Sequence, residues 1–75
     1  MSRDLVLWTI YDHPVDYPND FVARAHAIRR GSSEPTDQVI FAPDLEALRA
    51  LLRQHGLYCL GRQADDQPQI VESWI

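Results

Sequence analysis

Only one segment of this chain repeats its apolar residues at helical spacing. Leu45, Leu48, Leu51 and Leu52 fall on one stripe that His55 extends, and Gly56 suits the position just past a helix end. Pro43 fits a first turn, and Asp44 and Glu46 lie where the positive end of the helix dipole favours anions, so a helix is predicted over about 43–55. The other apolar runs are too short or alternate with period two. A lone helix covers one face of a sheet and leaves the other without a layer, and this limits every later inference about the chain.

The run Leu5–Tyr11 (LVLWTIY) is β-branched and aromatic and reads as a first strand. Pro14 and Pro18 with Asn19 and Asp20 predict a loop over 12–20. Phe21–Ile28 alternates like a second strand. A turn cluster over Arg30–Asp37 precedes a third strand at Gln38–Phe41. After the helix, Leu57–Arg62 reads as a fourth strand, Gln63–Pro68 as a turn and Gln69–Trp74 as a fifth strand. The fold class is therefore α+β: a mostly antiparallel sheet of four or five strands with one helix on one face, in the order β-β-β-α-β-β.

Strand alternation sorts residues between the faces. Val6, Trp8, Ile10, Phe21, Ala23, Ala25, Val39, Phe41, Cys59, Val71 and Ile75 are expected beneath the helix. Leu7, Thr9, Tyr11, Arg24, His26, Tyr58, Leu60, Arg62, Glu72 and Trp74 are expected on the open side. The fourth strand could present either side to the core.

With 75 residues the chain makes one domain over 1–75, and its net charge of −4 argues against general nucleic-acid binding. The core of so small a domain roughly balances the entropy of ordering the chain, so such domains often carry a staple. One cysteine excludes an internal disulfide, and neither a metal nor another cofactor is expected, which raises self-association. The first apolar run is too short for a signal peptide or a membrane span, so a soluble cytoplasmic protein with no membrane partner is expected.

Two stretches, Tyr11-Asp12-His13-Pro14-Val15-Asp16-Tyr17-Pro18-Asn19-Asp20-Phe21-Val22-Ala23-Arg24 and Asp65-Asp66-Gln67-Pro68-Gln69-Ile70-Val71-Glu72-Ser73-Trp74-Ile75, resemble a group of short bacterial and phage proteins of unassigned function. The resemblance spans about the whole chain. It implies a stand-alone small domain and carries no catalytic residue.

Catalytic signatures are weak. His13, His26 and His55 match no metal-ligand spacing, and Asp65-Asp66 lacks the alternating oxygen ligands of a calcium loop. Cys59, between Tyr58 and Leu60, reads as a small buried hydrophobe rather than a nucleophile. Gly31-Ser32-Ser33 has no helix directly after it to cradle a phosphate. More suggestive are Tyr11, Arg24, His26, Tyr58, Arg62, Glu72 and Trp74, which strand phase gathers on the open face. Arginine and aromatics are enriched at interface centres, although Arg24 and Glu72 would also make an ordinary cross-strand ion pair. The leading expectation is a non-enzymatic module that uses this face to form a homodimer or bind a protein partner. One alternative is a small enzyme or binder of small anions using Arg24, His26 and Glu72. Another is single-stranded nucleic-acid binding on Trp74, Tyr58 and Arg24, ranked last because the chain is acidic.

Overall fold

The computed structural model describes residues 5–30, 32–62 and 68–75. Its elements are β1 (Leu5–Asp12), β2 (Phe21–Arg29), β3 (Ser32–Ala42), α1 (Leu45–Gln54), β4 (Cys59–Gly61) and β5 (Ile70–Trp74). The fold is α+β in the order β-β-β-α-β-β. The sheet order is β3-β2-β1-β5-β4, and every neighbouring pair is antiparallel. Most of the turn predicted at Gln63–Pro68, with Asp65 and Asp66, lies outside the described residues.

This order places β3 and β4 at opposite edges, so the chain between them must cross the whole sheet. Four inter-strand steps of about 4.8 Å make a crossing of about 19 Å. The ten residues of α1 supply about 15 Å of it at 1.5 Å per residue. Asp44 caps the N-terminus, its carboxylate accepting from the Ala47 N–H at 2.8 Å. At the other end the Gly56 N–H donates to the Arg53 carbonyl and the Leu57 N–H to the Leu52 carbonyl. This is a Schellman stop, and it needs the positive φ of 78° that Gly56 supplies.

The core forms where α1 meets the middle of the sheet. Ile10, Ala23, Ala42, Leu48, Leu52 and Trp74 are buried together, with Trp8, Phe21, Ile40, Leu45, Leu51, Leu57 and Val71 packed around them. Ala23 and Ala42 have no bulk beyond Cβ, which lets the leucine stripe come close to β2 and β3.

Two irregularities shift the strand phases from simple alternation. Against β2, the register of β3 jumps between the Arg24–Val39 and His26–Pro35 pairs. There the Thr36 hydroxyl donates to the Ala25 carbonyl at 2.9 Å and accepts from the Gln38 N–H at 3.1 Å. Ile40 and Ala42, not Val39 and Phe41, therefore lie under the helix, and Phe41 turns to the open side. The third strand also begins at Ser32, because Ser32–Pro35 pair with β2 through the backbone although their side chains are exposed. An exposed edge strand carries no apolar alternation, and Pro35 is tolerated on it.

The second shift lies in β5. Ile10 pairs with Glu72, but the next residue, Tyr11, pairs with Ile70. Val71 is the extra residue of a β-bulge. It packs on the core, and Glu72 also faces the helix, so period two is broken at this point. Glu72 and Trp74 consequently lie beneath α1, and Ile75 falls on the open side; this reverses the expected phase. Cys59 pairs with Trp74 but sits on the edge strand, and its thiol is exposed instead of buried.

Leu48 is fully buried at the centre of the leucine stripe. Leu48→Ala is expected to lower stability by about 2–5 kcal/mol, the cost of a buried leucine truncation. Urea denaturation checks this, and an unchanged midpoint would place the stripe in solvent.

Candidate functional site

The seven residues singled out from the sequence divide between the two faces of the sheet. Tyr11, Arg24 and His26 share the open face, because Tyr11 pairs with Val22, Thr9 with Arg24 and Leu7 with His26. Tyr58 joins them, exchanging backbone bonds of 2.8 and 2.9 Å with Ile75. Arg62, just past β4, donates to the Ile70 carbonyl at 2.6 Å. Glu72 and Trp74 lie on the other side, under the helix.

On that covered side Glu72 is the hub of a polar cluster. Arg49 grips its carboxylate with two bonds, Nε to Oε2 at 3.0 Å and Nη2 to Oε1 at 2.7 Å. The Trp74 indole N–H donates to the same Oε2 at 2.7 Å. Arg49 also reaches Glu46 at 2.5 Å, and Arg53 stacks over the Trp74 ring, 5.7 Å from its centroid. The Arg49 guanidinium holds the Glu72 carboxyl below the usual range, against the opposing effect of burial. The two carboxylates in turn raise Arg49. Among the described residues, no buried side-chain nitrogen or oxygen lacks a hydrogen-bond partner.

The open face is built in rows across the strands. One row runs Phe41, Val22, Tyr11, Ile70 and another runs His26, Leu7, Ile75, Tyr58. Between them Thr9 and Ser73 pair side by side and are only 7% and 6% exposed, small residues sunk between larger ones. The 13–20 loop folds over the first row. Tyr17 lies 5.2 Å from Phe41 between ring centroids, and Arg24 is ion-paired to Asp16 while stacking on Tyr17. That ion pair lowers the Asp16 carboxyl. Asp16 and Tyr17 were not predicted for this face, because a loop between prolines gives no sign of which face it folds over.

Among the described residues no loop or helix folds over the second row, in which Leu7, His26 and Ile75 are part-buried by their neighbours in the sheet. Tyr58 is 77% exposed, and Leu5 at the foot of β1 is about half exposed. An acid–base set of Arg24, His26 and Glu72 is not assembled, because the sheet itself separates Glu72 from the other two. Arg24 pairs with Asp16 and Glu72 with Arg49, so the cross-strand ion pair between Arg24 and Glu72 does not form either. A stacking platform that includes Trp74 is also excluded, since its ring is only 2% exposed. Among the described residues no group of three or more His, Cys, Asp or Glu is placed to hold a metal ion, and no helix is long and apolar enough to cross a membrane.

Comparison with known proteins adds no relative: no family model matches the chain, and neither a curated protein nor a solved structure matches it.

Two outcomes follow for the covered cluster. The Glu72 carboxyl is depressed on folding, so its contribution to stability is complete above its ordinary value of 4.5 and is lost as pH falls below that, through the lower folded value. Glu72→Gln should cost about 1–3 kcal/mol near neutral pH, and the gap to wild type should close in acid. Chemical denaturation at a series of pH values reads both effects. Trp74→Ala should cost about 3–5 kcal/mol as a core truncation and leave any association constant unchanged, which thermal unfolding and sedimentation separate.

Proposed function

We propose that the protein is a non-enzymatic interaction module that self-associates through its open sheet face. The observation that supports this reading is the row of part-buried His26, Leu7 and Ile75 with exposed Tyr58, on the sheet face opposite the one helix among the described residues. A second copy is the favoured occupant because the face is nearly neutral although the chain carries −4. Its arginine, Arg24, is answered by Asp16 of the same chain. Two such faces meet without the like-charge repulsion that the rest of the surface would impose, and a two-fold axis lets each row stack on its own copy. The 13–20 loop packs Tyr17 on Phe41 at one end of the face, leaving Phe41 half exposed beside the rows around Leu7 and Ile75. A stable pair of this kind buries about 800 Å² on each partner.

Sedimentation at micromolar concentration is expected to show a dimer. Tyr58→Asp, at a highly exposed position, should shift it to monomer with an unchanged unfolding midpoint. A wild type that stays monomeric at high concentration overturns the reading.

A further inference from the structure

A second feature lies on the helix side of the sheet and meets the proposed self-association face only at Tyr58, on the edge between them. The helix packs over β3 and β2, so beyond Trp74 the helix side of the β5–β4 edge is left open. A cleft of about 400 Å³ forms there, lined by Arg53, Gly56, Leu57, Tyr58, Cys59 and Trp74. This volume is within the range of small-molecule sites.

Two arginines on α1, one turn apart, differ in how their charge is met. Arg49 is held by both Glu46 and Glu72. Arg53 has no carboxylate partner among the described residues, and its guanidinium is held at the cleft wall by the Trp74 ring. A flat, oriented guanidinium presents a fork of N–H donors that matches a carboxylate. The Schellman turn at Gly56 supplies the other end of the cleft. Its N–H groups are already spent on the Arg53 and Leu52 carbonyls, and the helix end carries partial negative charge. That end disfavours a phosphate, which needs several donors and brings more charge, and it leaves Arg53 to meet a single negative charge. Leu57 and Trp74 give the remainder of the cleft an apolar lining.

We infer that this cleft binds a small monoanionic carboxylate with an apolar body, its carboxylate on Arg53 and its body against Leu57 and the edge of Trp74. The probe is 4-phenylbutanoate, with 4-phenylbutanamide as its uncharged counterpart, followed by two-dimensional amide and indole NMR of the whole chain. The expected result is saturable shifts of the Gly56 and Leu57 amides and of the Trp74 indole N–H, with millimolar or tighter affinity. The amide should bind roughly tenfold more weakly, since it forfeits the charge-assisted bonds. Arg53→Gln should weaken the carboxylate by a similar factor and leave the amide unaffected. Arg53 is exposed, so this variant should keep the wild-type unfolding midpoint and its other indole resonance. Three results overturn the inference: no saturable shift, equal affinity for carboxylate and amide, or shifts confined to Leu7 and Ile75 on the other face. Tyr58 at the β4 edge borders both sites, but failure here leaves the self-association reading intact, because sedimentation tests that reading and Arg53 takes no part in it.

Discussion

The Glu72 carboxylate lies under the helix, and much of the molecule is arranged to hold it there. A buried carboxylate without partners costs several kcal/mol, so its position is permitted only by the full set of donors around it. Arg49 provides two bonds from the helix, and the Trp74 indole provides a third from the same strand. This arrangement clamps α1 to β5 on the same face of the sheet where the β2 and β3 contacts seat the leucines. It also fixes the orientation of β5, since turning the strand over would put Trp74 into water and leave Arg49 without its main partner. The bulge at Val71 makes the clamp compatible with the core, letting Val71 and Glu72 both face the helix.

The two faces of the sheet then differ in kind. Beneath the helix, every charged group of the cluster is paired except the outermost arginine, Arg53, which rests on an aromatic ring at the mouth of a cleft. On the other face Arg24 is paired with Asp16, and the 13–20 loop packs Tyr17 on half-exposed Phe41. What stays uncovered is apolar and nearly neutral around Leu7, Ile75 and Tyr58. The topology accounts for this asymmetry. With β3 and β4 at opposite edges, the chain has one crossing to make between them, that crossing is α1, and it can lie on one face only.

Short-range features could be read along the chain because their causes are local. The leucine stripe, the acidic start of the helix, the Gly56 stop and the proline-bounded loop depend on residues within a turn or two of each other. The sequence pattern puts Pro43 in the first turn, whereas the helix begins at Leu45 behind an Asp44 cap. The order of strands around the helix followed from the same kind of local signal, while the choice between four and five strands was settled by the structure at five. Tyr11, Arg24 and His26 fall on the open face as alternation predicts, because β1 and β2 pair in one unbroken register from Leu5–Ile28 to Asp12–Phe21.

Other features depended on partners distant in sequence. A bulge leaves no mark in an alternating pattern, so Val71 and Ile75 appeared to share a face and Trp74 appeared exposed, until pairing with Ile10 and Tyr11 broke the period between them. The exposed half of β3 could not be told from a turn, since an edge strand is held by the backbone of its neighbour and needs no apolar side chains. Arg49 was read only as part of a helix, yet it takes the carboxylate expected to face Arg24, 23 residues away along the chain. Local sequence sets what each segment can become. The face on which each side chain emerges is set by register against a neighbouring strand, and a one-residue slip there reverses every assignment beyond it.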